Sequence, residues 1–342
     1  MANFHEALAK LKKEKHSFDK RRESFTAIST GSFVLDYLTG INGFPIGGIS
    51  ELAGDNSVGK TTICGNIIRN AQKMFPDKRI LVVDAEQCWD LKYMEKLGVD
   101  FSGYGDTFLH FQEMIVEDVF QVIRQLGPTG EFSVIIVDSV GPLMPRVKFV
   151  GEDGANAIGL QARALTPEVA VAASICSKYD ICGIFVNQFR AKLDFSRGGS
   201  GATKDVAGGN ALKYYRLMSM WLERSTVMME EALSEISLDD KVAKEIERVV
   251  IRANMYKNKC APEGRKGKFV IKPGFGIDNV YTLIELAIKQ GSISKSGNYF
   301  SIPDGTKIMG KENLWIDLSS KKELRDSVAD SLGLKNFDRY CV

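Results

Sequence analysis

The sequence predicts an α/β protein built on a mainly parallel sheet with helices on both faces, and three observations carry that expectation. Ile49–Ala53, Arg79–Val83, Val134–Val137 and Ile181–Val186 are short apolar runs without alternation, as strands buried on both faces must be. Between them lie stretches with helical spacing of apolar residues, Thr61–Met74, Asp90–Leu97, Glu113–Leu126 and Pro167–Lys178. Strand and helix therefore alternate as in a covered parallel sheet. Each run also ends in polar residues: Gly54-Asp55, Asp84-Ala85-Glu86, Asp138-Ser139 and Asn187-Gln188. Ligands in such sheets bind beyond the carboxyl ends of the strands, so these four termini should converge on one site.

A chain of 342 residues with 44% hydrophobic and 26% charged side chains can bury a full core and has the composition of a globular protein. No run approaches the roughly 20 apolar residues of a membrane helix. The first residues lack the basic-then-apolar plan of a secretory leader, so a cytoplasmic location is expected. Six scattered cysteines, with no CxxC pair, and only three histidines favour reduced structural thiols over disulfides or a zinc site. The net charge of +2 decides nothing about nucleic acid, so the distribution of charge must.

Residues 1–30 are expected to form an N-terminal helical arm. The polar, Lys/Arg-rich stretch 1–24 fits a solvated helix as well as an arm that docks on a partner subunit. Residues 31–272 carry the strand–helix alternation. Within them Phe189–Gly209 is polar and glycine-rich, and 226–248 is a charged stretch with Glu and Asp in excess. From 273 to 342 a helical pattern over Asp278–Gln290, a Gly/Ser-rich hairpin-like stretch and a helix near Lys321–Ser331 suggest a small α+β C-terminal subdomain.

The first run leads into Gly54-Asp55-Asn56-Ser57-Val58-Gly59-Lys60-Thr61, which satisfies GxxxxGK[ST] between a strand and a helix. Its backbone amides and the helix N-terminus suit phosphate oxygens. Lys60 would reach the β- and γ-phosphates, Thr61 would ligate Mg2+, and Thr62 would touch the α-phosphate of ATP. Asp138 ends the third run, where a carboxylate holds the Mg2+ shell through water. Glu86, just past the second run, could orient the attacking water; by spacing alone it could equally be a surface glutamate.

A wider set of motifs resembles the bacterial RecA recombinases. It includes Ile28-Ser-Thr-Gly31-Ser, Gly43-Phe-Pro-Ile-Gly47, Val83-Asp-Ala-Glu86, Lys96-Leu-Gly-Val-Asp100, Phe185-Val-Asn-Gln188 and above all Gly208-Gly-Asn-Ala-Leu-Lys213. The resemblance runs from about residue 25 to about 332 and implies a RecA-like ATPase core. It implies Glu86 as the general base, with Asp90 and Tyr93 at the adenine, Tyr93 by stacking. It places Gln188 between the γ-phosphate and a DNA-binding loop. Lys257 and Lys259 match lysines that reach into the ATP of a neighbouring subunit.

Taken alone, Phe189–Gly209 fits an ordinary surface loop, although its cations, interleaved Phe189 and Phe195 and glycines also suit a single strand. The resemblance implies DNA contacts at Arg190, Lys192, Leu193, Arg197, Gly208, Gly209 and Asn210. A shorter element over Lys148–Gly159, with Arg163 after it, would also face DNA. Where the family has a basic residue the chain has Ala170, Pro167 is expected to alter the start of that helix, and a wedge position holds only Ala191. The stretch 226–248 has no clear counterpart.

The implied function is an ATP-dependent recombinase. It would form helical homo-oligomers on single-stranded DNA, pair them with homologous double-stranded DNA, and hydrolyse ATP under DNA stimulation. A ring helicase on the same core is the alternative, although its usual arginine finger has no obvious candidate here.

Overall fold

Hydrophobic strands that each offer residues to both faces can only be buried between two layers of helix, and the chain folds that way. The computed structural model describes residues 25–149, 159–193, 202–206, 211–225 and 248–341. The large sheet is assembled from β3 (Gly48–Gly54), β4 (Arg79–Asp84), β5 (Phe108–Phe111), β6 (Phe132–Asp138), β7 (Cys182–Leu193), β9 (Met218–Arg224), β10 (Val249–Asn258), β11 (Lys266–Lys272) and β12 (Gly276–Ile277). Its spatial order is β12-β11-β10-β9-β3-β7-β6-β4-β5. From β5 to β9 neighbouring strands run parallel, and β10 to β12 add an antiparallel extension. Ahead of the sheet, β1 (Ala27–Ile28) pairs with β2 (Phe44–Pro45) around α1 (Phe33–Thr39).

Alternate residues of one strand enter opposite cores. Ile80, Val82, Val134 and Ile136 pack with Ile63 and Ile67 of α2 (Lys60–Met74). Leu81, Val83, Ile135 and Val137 face Phe120 and Ile123 of α4 (Val116–Leu126) and Val169 of α6 (Leu160–Lys178). The short α3 (Leu91–Lys96) and α5 (Arg146–Phe149) complete the parallel half. Each fully buried aliphatic side chain contributes roughly 1.5–3 kcal/mol, so the two layers hold the strand ends in fixed register.

Several elements differ from the sequence expectation. Helix α6 starts at Leu160, after Gly159 at φ 82°, so Pro167 lies inside the helix and does not shape its start. Proline has no N–H to return to the preceding turn, and beside it the Thr166 hydroxyl donates to the Ala162 carbonyl at 2.6 Å. Helix α4 begins at Val116 because the Glu113 carboxylate accepts the amides of Met114 and Ile115 in an extended segment. Strand β7 does not stop at Val186. It runs to Leu193 and pairs antiparallel with β8 (Ala202–Val206), Phe189 opposite Val206 and Leu193 opposite Ala202, so much of the glycine-rich stretch is a hairpin.

After α7 (Ala211–Tyr215) and the extension, α8 (Asn279–Gln290) is capped by Asp278, which accepts the Tyr281 amide at 2.8 Å. A three-stranded sheet follows, β13 (Ser294–Ser296), β14 (Tyr299–Ser301) and β15 (Lys307–Met309), with α9 (Lys311–Ser320) and α10 (Lys322–Ser331) behind it. These elements share a smaller core of Leu283, Leu314, Val328 and Phe337, which takes in Phe33 of α1. The Phe33 and Phe337 rings meet edge-on at 5.2 Å. The stretches 1–24 and 226–247 lie outside the described residues. Among the described residues no helix is long and apolar enough to cross a membrane.

Candidate nucleotide site

Register brings the four strand termini to one edge, with Gly54 opposite Gln188 and Asp84 opposite Asp138. A cavity of about 530 Å3 opens there, lined by Asn56 through Thr62 together with Glu86, Tyr93, Asp138 and Gln188. The loop geometry needs its glycines. Gly59 sits at φ 82°, and a Cβ there would fall 2.1 Å from Ile271 Cδ1; a Cβ at Gly54 would fall 2.6 Å from the Leu222 carbonyl oxygen. Gly59 caps α2, so amides of the helix's first turn face the cavity, as an oxyanion requires. Within the loop the Lys60 ammonium donates to the carbonyls of Gly54 at 3.2 Å and Asp55 at 2.8 Å. Burial lowers its pKa, while Asp138 and Glu86 pull the other way.

Thr61 Oγ1 donates to Asp138 Oδ2 at 3.0 Å. Burial pushes the Asp138 carboxyl up to about 6, and neighbouring Glu86 and Asp84 add to the rise against the hydrogen bonds from Thr61 and Trp89. A buried carboxylate crowded by others is one that a cation would relieve. A hydroxyl and a carboxylate oxygen fit a hard ion that completes its shell with water and phosphate oxygens. Among the described residues no group of three or more His, Cys, Asp and Glu side chains forms an all-protein metal cage.

Glu86 stands at the mouth, and two donors converge on its Oε1: the Ser139 hydroxyl and Gln188 Nε2, the latter at 2.6 Å. Thr62 Oγ1 and Tyr93 Oη share a hydrogen bond of 3.0 Å, so the tyrosine ring is tethered to the phosphate-loop helix. Asp90 is absent from the cavity lining; it caps α3, its Oδ1 accepting the Tyr93 amide at 3.1 Å.

Ser139, expected at this edge as the end of the third run, gains its role through Glu86, and two contributors escaped sequence reasoning. Trp89 is 8% exposed, and its indole N–H donates to Asp138 Oδ2 at 3.0 Å while its amide donates to Asp84 Oδ2 at 3.1 Å. Arg224, at the end of β9, lines the cavity as a second cation. Neither Trp89 nor Arg224 belongs to a spacing motif.

Lys257 and Lys259 do not line this cavity. Lys257 lies opposite Ser219, which pairs with Glu51, three residues before Gly54. That places it about 10 Å down the strands and about 10 Å across from the loop. The two ammonium groups donate to the carbonyls of Lys213 at 2.7 Å and Tyr214 at 3.2 Å. Arg163 is exposed in the first turn of α6. The backbones of Arg190, Lys192 and Leu193 form the outgoing arm of the hairpin that starts beside Gln188. Arg197, Gly208, Gly209, Asn210 and most of the Lys148–Gly159 element lie outside the described residues.

Residues 6–278 match the family model of the RecA N-terminal domain. The chain is 33% identical to Protein RecA of a Nitratiruptor species over 314 residues, covering 92% of this chain and 86% of the relative. It is 34% identical to Protein RecA of a Sulfurovum species over 310 residues, covering 91% and 84%. Protein RecA of Geobacter sulfurreducens is 33% identical over 310 residues, at 91% and 86% coverage.

Proposed function

The chain belongs to the RecA family as a RecA-type recombinase and DNA-dependent ATPase, and from that premise we propose how its own residues carry the activity. The observation that carries the reading is Glu86. It shares the Gln188 amide at 2.6 Å at the mouth of a phosphate-loop cavity, and the residue after Gln188 begins the hairpin arm. With ATP in the cavity, Lys60 exchanges its loop carbonyls for β- and γ-phosphate oxygens, and amides of residues 55–61 hold the remaining phosphate oxygens. Tyr93 and Asp90 flank the base, and Thr62 the α-phosphate. Thr61 and, through water, Asp138 would hold Mg2+, which would supply charge neutralisation of the phosphates. Glu86 orients a water and accepts its proton as the water oxygen bonds to the γ-phosphorus and the bond from that phosphorus to the bridging oxygen breaks, giving ADP and phosphate.

Occupancy of the γ-phosphate position is felt by Gln188, which leads into Arg190, Lys192 and Leu193. Those residues, with Arg197, Gly208, Gly209, Asn210 and Arg163, are assigned to the DNA strand. Cations on backbone phosphates give little sequence preference and a steep salt dependence. Pairing with homologous duplex is then read by the bases. Lys257 and Lys259, remote from their own phosphate loop, are assigned to the ATP of a neighbouring subunit, with the N-terminal stretch and the unit from residue 273 onward as further parts of the assembly.

The test is ATP turnover with and without single-stranded DNA at low salt, with Lys60→Ala as the inactive control. DNA is expected to raise turnover, and added salt to reverse the rise. Equal turnover with and without DNA would sink the reading.

A further inference from the structure

A second cavity, of about 310 Å3, lies behind the first, between α2, the end of α3, the turn at Gly274–Ile277 and Tyr340. Asn66 and Arg69 stand four and seven residues after Thr62, on the same face of α2, and both line this cavity. Arg69 is 3% and Asn66 4% exposed. A buried guanidinium ordinarily faces a carboxylate. Among the described residues Arg69 donates only to neutral oxygens, from Nη1 to the Leu97 carbonyl at 3.1 Å and from Nε to Asn70 Oδ1 at 3.3 Å. Burial alone lowers its pKa, with no neighbouring charge opposing it.

Among the described residues, neither Arg69 Nη2 nor the Asn66 side-chain amide has a hydrogen-bond partner. Lys96, exposed at the rim, adds a second cation, and among the described residues no aspartate or glutamate lines the cavity. Two cations and a buried amide therefore share one side of a space several times the volume of a water molecule, with Leu97, Phe275 and Ile277 supplying apolar wall. We propose that this cavity binds a small oxyanion of the phosphate class. Arg69 Nη2 would donate to one oxygen and Asn66 Nδ2 to a second, and Lys96 would act as a point charge at the entrance.

The site would sit back to back with the nucleotide cavity. Pro273 lines the first cavity, while Gly274, Phe275 and Ile277 line the second. A Cβ on Gly276 would fall 2.6 Å from Leu97 Cδ2 and 3.9 Å from Thr62 Cγ2, so a single turn of chain is the shared wall. The oxyanion site stands independently of the recombinase reading, and filling the first cavity keeps the two apart.

The experiment follows thermal unfolding of the full chain, saturated with Mg2+ and a non-hydrolysable ATP analogue, in rising inorganic phosphate or in chloride of equal ionic strength. Phosphate is expected to raise the midpoint, rising with the logarithm of its concentration. Arg69→Met and Asn66→Ala should abolish that rise, and Lys96→Ala should weaken the apparent affinity several-fold. All three should keep the affinity for the analogue. No phosphate-specific rise in the unaltered chain, or an equal rise in Arg69→Met, would overturn the proposal, the latter being a general salt effect. Should Arg69→Met fail to fold, calorimetric phosphate titration of the unaltered chain against Lys96→Ala decides. One phosphate per chain, weakened in the variant, is required.

Discussion

Asp138 is held by two donors from distant parts of the chain, the Thr61 hydroxyl and the Trp89 indole, each at 3.0 Å. Were Thr61 to turn to a metal ion, the indole bond would remain, and Trp89 would be the partner that fixes the direction of the carboxylate. Outer-shell donors of this kind typically change metal affinity by roughly 10–100-fold. Trp89→Phe keeps an aromatic ring and removes the N–H. It is expected to raise the Mg2+ concentration for half-maximal binding of a fluorescent ATP analogue about tenfold, with binding at saturating Mg2+ retained. An unchanged Mg2+ requirement would show that the indole only packs. Spacing left Glu86 open and its role came from the family resemblance, whereas the phosphate loop and Asp138 were legible because they sit at strand ends in short local patterns. The Trp89 contact was not, since it joins residues far apart in sequence, and no spacing rule reports a side-chain hydrogen bond formed by tertiary packing.

At the scale of elements, the centre of the sheet carries a carboxylate. Glu51 of β3 is fully buried, and three donors meet it: Arg216 Nη1, Ser219 Oγ of β9 at 2.7 Å and Asn187 Nδ2 of β7 at 3.1 Å. Strands β7, β3 and β9 are thereby clamped side by side, just below the ends that bear Gln188 and the phosphate loop. Removing one partner strands the other charge in the core. Arg216→Met is expected to destabilise the fold by about 3–5 kcal/mol in urea unfolding, while Glu51→Leu/Arg216→Met recovers much of the loss. If the double variant is no more stable than the single one, the carboxylate has a role other than answering the arginine.

The parallel strands were legible here because they are apolar throughout. In β10, Ile251, Ala253 and Met255 point inward while Arg252 and Tyr256 are exposed, an alternation that diluted the hydrophobic signal. The hairpin of β7 and β8 was obscured by glycines. The true start of α6 was hidden by Pro167, which reads as a helix boundary in sequence yet lies in mid-helix.

For the whole molecule, the relevant observation is how far Lys257 and Lys259 stand from the chain's own phosphate loop. The phosphate loop, Glu86 and Asp138 share one edge of the sheet, whereas Lys257 and Lys259 rest on the carbonyls of Lys213 and Tyr214 away from that cavity. Burial and the neighbouring charges of Lys259 and Arg216 lower the pKa of Lys257, so a phosphate in a neighbouring molecule would relieve the clustered cations. No sequence pattern could show this. The role of the lysines entered through family resemblance, and their distance from the loop depends on the antiparallel register of β10. The central claim is that the nucleotide site is shared between subunits of a filament. Cryo-electron microscopy of the protein with single-stranded DNA, Mg2+ and a non-hydrolysable ATP analogue tests it most directly. The account predicts helical filaments in which Lys257 and Lys259 of one subunit reach the γ-phosphate bound by the next. Closed rings, or filaments in which both lysines remain remote from any nucleotide, would contradict it.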